Sequence, residues 1–416
     1  MGKIGLITVR YGLEINGGAE FHCRMVAEKL APQNEIDVLT TTIRNYVSFE
    51  NPFPTGEEVI NQVKVLRFSN TEYDHHRFRQ AEKKAKWSRK IRRLIFRFKL
   101  SSVIFKLFPV WNFKIREEYK LMRLHKFYSK DLIDYIKARH HEYDALIFFS
   151  YENPLTQLGI MVAPEKSILM PAAHLEGMLF RSINSHSFTK AAFIAFNTET
   201  EKQMCHQLFQ HKMSPNSVVA VGTTLSEPEN AENIKKDYPV PEHYILYSGR
   251  VTPEKLNSLI NDFLQYKQQN PGDLRLVLTG DIMMEKTISD EIVYMGFVPE
   301  PVKTYLMMHA MAIINPSTVE SLSLLTLEAL SLGKFIIANK KCNVMREHEH
   351  RSNGAVQCYS SFTSFTTILN MVVNYPEKLI EIRKNAEKYV ENNYNWDKVI
   401  RQYQEVFDNI KELKRN

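Results

Sequence analysis

Short runs of apolar residues, many of them β-branched or aromatic, alternate along the chain with segments of helical periodicity. In the first half these runs predict strands over 3–9, 36–42, 63–68, 144–150, 167–171, 192–197 and 217–222. In the second half they predict strands over 244–249, 274–280, 292–297, 312–317, 335–340 and 354–358. The runs lack the alternation of a half-exposed strand, which indicates burial on both faces, as in a parallel sheet. We therefore predict an α/β protein with doubly wound sheets.

A polar, proline-containing segment at 226–242 has no apolar period and is typical of a linker between two such regions. It predicts an N-terminal domain over 1–225, with a basic helical insertion at about 74–130, and a C-terminal domain over 243–395. Apolar residues recur at helical spacing from Trp396 onward, so 396–416 is predicted to form a closing helix. A chain of 416 residues is long enough for each domain to bury its own core.

The composition narrows the class of protein. With 44% hydrophobic and 24% charged residues, the chain is neither disordered nor fibrous. Its 4 cysteines are scattered without a C-x-x-C pair, which argues against a disulfide scaffold or a structural zinc site and favours a reducing compartment. The first residues read as a strand rather than a secretion signal, and no apolar run reaches the ~18 residues that a membrane span needs. We therefore expect a cytoplasmic protein.

Charge is concentrated in one segment. Residues 77–130 carry 18 Lys or Arg against 3 Glu, whereas the whole chain has a net charge of only +7, so the remainder is acidic. Aromatic residues lie between these cations. Such a segment can bind an anionic membrane surface, which predicts peripheral contact with the inner face of the cell membrane. Alternatively, its aromatics pack on the first domain and its cations are solvated. Nucleic acid is not an expected partner, because the rest of the chain is acidic and has no reading motif.

The segment INPSTVESLSLLTLEALSLGK (314–334) is the strongest candidate for chemistry. Its pattern predicts a strand, a turn with Glu320 at its end, and a helix from near Ser321 to Gly333. Glu328 would then lie on the same helix, ~12 Å along its axis. The free amides at the helix start would suit a phosphate; they belong to Ser321, Leu322, Ser323 and Leu324. Alternatively, both glutamates are there only because acids are favoured in the first turns of a helix.

A pair of cations follows the first strand of the second domain, in YILYSGRVTPEK (244–255). Gly249 allows a sharp turn, after which Arg250 and Lys255 reach the same sheet edge as Glu320. The planar fork of an arginine and the point charge of a lysine together suit a diphosphate.

Further motifs are spread over nearly the whole chain outside the basic segment. They are NGGAEFHCRMVAEKLA (16–31), PAAHLEG (171–177), FNTETEK (196–202), VLTGD (277–281) and VYMGFVPEPVKTYLMMHAMAIINPS (293–317). With SGRVTPEK (248–255) and ESLSLLTLE (320–328), they resemble the retaining glycosyltransferases of family 4. EHEHRSNGAVQCY (347–359) also resembles a stretch in a bacterial, surface-polysaccharide subset of that family. The resemblance implies GT-B architecture, with two Rossmann-like doubly wound domains facing a central cleft.

The resemblance also implies a role for each matching residue of the second domain. Arg250 and Lys255 would bind the donor diphosphate, Glu320 the hydroxyls of the transferred sugar, and Glu328 the ribose. Further donor contacts would come from the backbone beside the base and from the amides near the phosphates, at Phe297, Val298, Ser321, Leu322, Ser323 and Leu324.

In the first domain, the resemblance places Gly17 and Gly18 in a loop that closes over the phosphates. His174 would lie by the reacting centre, so that the implied catalytic set is His174, Glu320, Arg250 and Lys255. From the residues alone, His174 reads equally well as a core histidine after a buried strand.

The chain departs from the family pattern at several positions. Ser321-Leu322-Ser323 stands where a Gly-Phe-Gly is common. Leu256 replaces the glycine that commonly follows the lysine, Lys334 replaces a usual proline, and Leu175 stands where an aspartate often follows the histidine. VGTTL (221–225) lacks the usual terminal aspartate. These departures bear on sugar specificity and catalytic rate, and not on the fold.

The implied function is transfer of a hexose-type sugar from a nucleoside-diphosphate-sugar to a glycan or lipid-diphosphate-linked acceptor. Anomeric configuration would be retained, and the setting would be bacterial cell-surface polysaccharide synthesis. No D-x-D triplet offers paired carboxylates for a bridging metal, so no metal or other cofactor is expected, and cations meet the charge on the leaving diphosphate. Two alternatives remain: a non-catalytic sugar-nucleotide-binding or scaffold subunit, and a sugar-nucleotide 2-epimerase.

Overall fold

The computed structural model describes residues 2–15, 17–46 and 49–413. Met1, Asn16, Val47, Ser48 and Lys414–Asn416, which the predicted segments include, lie outside the described residues. Of the described residues, those up to Val221 together with those from Trp396 onward form one compact unit, and Gly222–Asn395 form a second. The segment predicted as a linker, 226–242, lies in the second unit and contains a short helix, Ala231–Asp237, with Ile234 buried.

Each unit is built on a sheet of mainly parallel strands. The first sheet is formed by β1 (Lys3–Ile7), β2 (Glu35–Thr41), β3 (Gly56–Ile60), β4 (Val63–Phe68), β5 (Ala145–Phe149), β6 (Ser167–Met170), β7 (Phe193–Phe196) and β8 (Asn216–Val218). The second is formed by β9 (Tyr244–Ser248), β10 (Arg275–Thr279), β11 (Ile292–Gly296), β12 (Ala312–Asn315), β13 (Ile336–Asn339) and β14 (Val356–Tyr359).

Helices connect most of these strands. In chain order they are α1 (Gly18–Leu30), α2 (His75–Arg97), α3 (Ser101–Leu107), α4 (Ile115–Arg123), α5 (Lys130–Arg139), α6 (Pro154–Gly159), α7 (Ser182–Lys190), α8 (Glu199–Phe209), α9 (Ala231–Asp237), α10 (Pro253–Leu256), α11 (Leu259–Gln269), α12 (Glu300–His309), α13 (Leu324–Ser331), α14 (Asn343–Arg351), α15 (Phe362–Asn374), α16 (Pro376–Asn393) and α17 (Trp396–Leu413).

The strand orders are those of doubly wound sheets. In the first unit the order is β3-β4-β2-β1-β5-β6-β7-β8, parallel except for the β3–β4 pair. In the second unit it is β11-β10-β9-β12-β13-β14, parallel throughout, with its first strand β9 in the middle beside its fourth, β12. In such sheets ligands bind beyond the carboxyl ends of the two strands where the order reverses, here β9 and β12. The predicted α/β fold with two doubly wound sheets is confirmed.

The strand that the sequence did not predict is β3, which pairs antiparallel with β4 at the edge of the first sheet. Its sequence, GEEVI, is exposed for most of its length, so it lacks the buried apolar run that marks the other strands. The thirteen predicted strands are all present among the described residues, and most of them end one residue before the predicted boundary.

The last described helix, α17, completes the core of the first unit. Its buried residues are Val399, Tyr403, Val406, Phe407 and Ile410, which recur at helical spacing and pack in one cluster with apolar residues of α1 and the first sheet. The amphipathic pattern predicted from Trp396 onward is therefore confirmed as far as Leu413.

The basic insertion packs on the first unit through one face. Arg92 of α2 is fully buried, donates to Ser185 Oγ at 2.9 Å and to the Leu208 carbonyl at 2.8 Å, and its guanidinium lies 5.3 Å from the ring centroid of Phe105. Glu118 of α4 is also fully buried and accepts a hydrogen bond from the Ile183 amide at 2.8 Å. The insertion therefore packs on the first unit, as one of the two alternatives predicted, but the buried Arg92 contradicts its expectation that the cations are all solvated.

Candidate functional site

Two glycines form the floor of the site where the order of the second sheet reverses. Gly249 follows β9 with φ +153°, and its amide donates to the Thr279 carbonyl at 2.9 Å. Gly280 follows β10 with φ +119°, and a Cβ there would lie 2.1 Å from the Gly249 carbonyl oxygen. The backbones after β9 and β10 therefore approach more closely than any side chain at Gly280 would permit.

Replacing Gly280 with alanine is expected to lower the stability of the second unit by at least about 2 kcal/mol, because the new Cβ meets backbone and the φ is unfavourable. Gly272→Ala is the matched control, since a Cβ at Gly272 has no atom within 4 Å. Urea unfolding of both variants measures the difference. Equal midpoints for the two variants would contradict the close approach.

Beyond Gly249, the side chains predicted to bind the diphosphate and the sugar of a donor lie close together. Lys255 lies in the short helix α10, and its Nζ is 2.8 Å from Glu320 Oε1. The Arg250 side chain is exposed, and its carbonyl accepts a hydrogen bond from the Tyr247 hydroxyl at 3.0 Å. Burial raises the pKa of Tyr247, the charge of Glu320 raises it further and that of Arg250 opposes the rise, so both charges act on the same hydroxyl. The structure thus brings Lys255 and Glu320 into contact and places Arg250 nearby.

The helix after Glu320 begins later than predicted. α13 starts at Leu324, so Glu320 and Glu328 do not share a helix, and the prediction that both lie on one helix is wrong. Ser323 has φ +71° and caps the helix: its Oγ accepts from the Thr326 amide at 3.3 Å and from Asn315 Nδ2 at 2.8 Å. This left-handed position is where the family motif commonly has a glycine. The loop 320–323 therefore ends at a serine N-cap.

His348 holds this loop from behind. It is fully buried on α14, with Nε2 2.9 Å from the Leu322 carbonyl and Nδ1 2.9 Å from the Tyr389 hydroxyl. A carbonyl only accepts, so Nε2 carries the hydrogen; when the ring is neutral, Nδ1 then accepts from the Tyr389 hydroxyl. Burial lowers the pKa of His348, in keeping with that tautomer. His348 was not among the residues predicted for the site.

Glu328 is held by a lysine that was likewise not among the predicted site residues. Lys303 of α12 places its Nζ 3.1 and 3.2 Å from the two carboxylate oxygens of Glu328, and 2.6 Å from Glu300. The Glu328 side chain is only 9% exposed and that of Lys303 14%. Burial raises the pKa of Glu328, although the charge of Lys303 opposes the rise. Burial acts to lower the pKa of Lys303, but the carboxylates of Glu328 and Glu300 leave that pKa raised. From the sequence, the i,i+3 spacing predicts the ion pair of Lys303 with Glu300, but it does not predict the one with Glu328.

Phe297 and Val298 follow β11 on the turn that leads to α12. Gly296 has φ +68°, and its carbonyl accepts from the Gly280 amide at 2.7 Å, which ties this turn to the glycine floor. Phe297 is 55% exposed, whereas Val298 is buried. Contact of this segment with a nucleobase stays a prediction.

In the first unit, His174 follows β6 and belongs to a small polar cluster. Its Nε2 lies 3.3 Å from Glu176 Oε1, which also accepts a hydrogen bond from the Tyr151 hydroxyl at 2.6 Å. Burial acts against ionisation of Glu176, but hydrogen bonds from His174 and Tyr151 leave its pKa lowered. The His174 side chain is 33% exposed, so the alternative of a core histidine is wrong. Its place beside a reacting centre stays a prediction.

Gly17 and Gly18 lie at the start of α1, in the first unit. Gly17 is the N-cap, and a Cβ there would lie 2.1 Å from a carboxylate oxygen of Glu20. Glu20 is buried and pairs with Arg10 at 3.0 Å. The glycine therefore makes room for a fixed carboxylate, while the predicted closure of this loop over phosphates stays a prediction.

Within residues 2–15, 17–46 and 49–413, no three His, Cys, Asp or Glu side chains are grouped so that they could hold a metal ion. Metal independence stays a prediction. No helix of the described chain is both long and apolar enough to cross a bilayer.

Comparison with known proteins agrees with the sheet topology. Residues 242–368 match the family model described as Glycosyl transferases group 1. An uncharacterized glycosyltransferase of Methanocaldococcus jannaschii is 23% identical over 174 residues, which is 40% of this chain and 45% of the archaeal protein. The match therefore spans less than half the length of that relative.

Two solved structures share the fold over almost the whole chain. Sucrose-phosphate synthase of Thermosynechococcus elongatus has a TM-score of 0.69 at 14% identity, covering 99% of this chain and 100% of that one. Anabaena HepE in complex with UDP and glucose has a TM-score of 0.66 at 15% identity, covering 98% and 100%. These likenesses show a GT-B fold, and the family match across most of the second unit supports a glycosyltransferase.

Proposed function

We propose that the protein transfers a hexose-type sugar from a nucleoside-diphosphate-sugar to a glycan or lipid-linked acceptor, with retention of anomeric configuration. One observation carries the proposal. Lys255 and Glu320 meet beyond the strands β9 and β12, where the sheet order reverses, inside the region that matches the glycosyltransferase family model. A lysine for phosphate and a carboxylate for sugar hydroxyls, in contact at a ligand-binding edge, suit a substrate that contains both.

The Lys255–Glu320 ion pair has a direct consequence for donor binding. In the free protein each side chain satisfies the charge of the other at 2.8 Å. When a donor binds, its diphosphate takes over Lys255, which frees Glu320 to accept hydrogen bonds from the sugar hydroxyls. Arg250, exposed and two-pronged, joins Lys255 at the phosphates.

Bond cleavage is then assisted electrostatically. The bond between the anomeric carbon and the diphosphate breaks, and negative charge develops on the leaving diphosphate. An acceptor hydroxyl forms the new bond to the anomeric carbon and passes its proton to the leaving diphosphate. Arg250 and Lys255 meet that charge without a metal, and because they are already in place the site reorganises little. We propose His174, beside Glu176 and Tyr151, as the polar group of the first unit near the reacting centre.

The donor nucleotide is best sought first among uridine compounds, since HepE, which shares the fold, was solved with UDP and glucose. Glu328, charge-paired with Lys303 and almost buried, is our proposed ribose ligand. We further propose a cytoplasmic enzyme, peripheral on the inner face of the cell membrane, that works in bacterial cell-surface polysaccharide synthesis.

Calorimetric titration with UDP, GDP and their sugars tests the donor site on the wild type, Glu328→Ala and Glu300→Ala. Glu300 is the matched control, because it contacts the same lysine but has no proposed donor contact. We expect micromolar binding of one diphosphate, weakened roughly tenfold or more by Glu328→Ala, which corresponds to at least about 1.4 kcal/mol. Glu300→Ala should bind like the wild type.

Absence of binding by the wild type to any of these compounds would overturn the donor site and favour a scaffold subunit. Conversion of a bound nucleotide-sugar to its 2-epimer without any acceptor would replace transfer by epimerisation. Once an acceptor is found, the anomeric proton couplings of the product decide retention.

A further inference from the structure

The insertion helix α2 has two opposite faces of different character. The face that packs on the first unit consists of Ala81, Ala85, Ser88 and Arg92, all buried. Two positions further along the chain, and thus about 200° around the helix, lies a second set: Lys83, Trp87, Lys90 and Leu94. Trp87 and Leu94 are 53% and 52% exposed, and Lys90 Nζ lies 5.4 Å from the centroid of a Trp87 ring.

The exposed apolar surface continues through the turn into α3. That helix is anchored by the fully buried Phe105, while large apolar side chains around it face outward. Each of these is between 49% and 69% exposed: Phe98, Leu100, Val103, Leu107 and Phe108. We call Trp87 and Leu94 together with these five residues the hairpin apolar surface.

The exposed charged residues between Lys83 and Lys106, among which the hairpin apolar surface lies, are all positive. Between Glu82 and Glu117 the sequence contains no Asp or Glu. Exposed cations lie among the apolar residues, at Lys83, Lys84, Lys90, Arg93, Arg97, Lys99 and Lys106. A second copy of this surface would be repelled by its like charge, and an acidic polymer would leave the large apolar side chains in water.

We propose that the hairpin apolar surface docks on an anionic phospholipid bilayer. The apolar side chains would enter the boundary between headgroups and acyl chains, and the cations, on long stems, would reach the lipid phosphates. The buried face of α2 stays on the first unit, so docking needs no unfolding of the insertion. The proposal rests on the proposed peripheral location, but it does not involve the donor groups of the second unit.

Vesicle flotation with the full-length protein tests the surface. The vesicles are phosphatidylcholine alone, or phosphatidylcholine with one third phosphatidylglycerol. We expect the protein to float with the anionic vesicles, and far less with the neutral ones. The variant Lys83→Ser/Lys90→Ser/Lys99→Ser should bind at least about tenfold more weakly, since each cation near the surface contributes roughly fivefold.

An apolar variant separates a bilayer from other anionic partners. Phe98→Ser/Leu107→Ser/Phe108→Ser changes only exposed side chains, so the fold should survive, yet vesicle binding should fall about tenfold or more. Matched controls lie in the second unit, where Lys384→Ser/Lys388→Ser and the 69% exposed Ile380→Ser should bind like the wild type.

Three results would overturn the proposal. One is failure of the wild type to float with anionic vesicles, and another is flotation of the apolar variant equal to that of the wild type, which would point to a purely ionic partner. Loss of an oligomer by the apolar variant in size-exclusion chromatography, without vesicle binding by the wild type, would assign the surface to a second copy. Donor titration of the same variants should be unchanged in every case, so a failure here is distinguishable from a failure of the donor site.

Discussion

Substituting Arg250 with alanine is expected to weaken use of the nucleoside-diphosphate donor by roughly tenfold or more. The loss of one charge-assisted contact, worth ~1.5–3 kcal/mol, is the physical reason. Arg250 is exposed, and its backbone carbonyl accepts a hydrogen bond from the Tyr247 hydroxyl, a contact that does not involve the guanidinium. Removal of the side chain should therefore leave the unfolding midpoint unchanged. The measurement is the donor affinity by calorimetry, followed by kcat/KM for the donor once an acceptor is found.

Two further variants make this result specific to the guanidinium. Arg250→Lys retains the charge but loses the planar fork, so its donor affinity should fall between that of the wild type and that of the alanine variant. Arg383→Ala removes an exposed arginine whose partner, Glu387, lies on the same helix α16, and should have no effect. Donor affinity of Arg250→Ala equal to that of Arg383→Ala would rule out a phosphate contact by Arg250.

Replacing Lys303 with methionine is expected to destabilise the second unit by about 3 kcal/mol near pH 8, because the buried Glu328 carboxylate then lacks its counter-charge. The loss should be smaller at pH 5. Burial already raises the pKa of Glu328, and without Lys303 it rises further, so the carboxyl is more readily protonated in the folded state. A carboxyl with a raised folded-state pKa favours the fold at low pH, and that advantage disappears as the pH rises through this pKa.

Urea unfolding at pH 5 and pH 8 measures this difference. The double variant Lys303→Met/Glu328→Gln is the matched control, because glutamine carries no charge to be buried, and it should recover most of the stability at pH 8. A loss that is equal at both pH values, or a double variant less stable than Lys303→Met alone, would contradict the ion-pair interpretation.

The sequence was informative wherever burial alone determined the structure. Strands covered on both faces, such as β1 and β12, carry nearly continuous apolar runs, and these runs identify them in the sequence. The edge strand β3, GEEVI, carries no such run, because it is mostly exposed to solvent and needs no apolar side chains to fill a core. Gly249 was predicted on a different ground, the sharp turn after the first strand of the second domain, and its φ of +153° agrees with that prediction.

The proposed donor-binding residues of the candidate site could be predicted from the sequence, whereas the residues that hold them in place could not. Lys255 and Glu320 could be placed together because each follows a strand beside the point where the sheet order reverses. Lys303 and His348 act on residues 25 and 26 positions away, and nothing in their local sequence names the partner. The helix α13 begins later than predicted because Ser323 is its N-cap, with an Oγ that accepts from the Thr326 amide and from Asn315, and the sequence does not show these contacts.

The place of α17 in the chain has a consequence for how the protein is made. The ribosome completes residues up to Val221 long before the helix that covers part of their core, and Gly222–Asn395 must be synthesised in between. At ~5–20 residues per second, that delay is on the order of 10–35 s. During this time the apolar residues of α1 and the first sheet that α17 will cover remain open to solvent or to chaperones. Nascent chains stalled within the second unit should therefore be selectively captured by holdases, and release should coincide with the emergence of Val399–Ile410 from the exit tunnel.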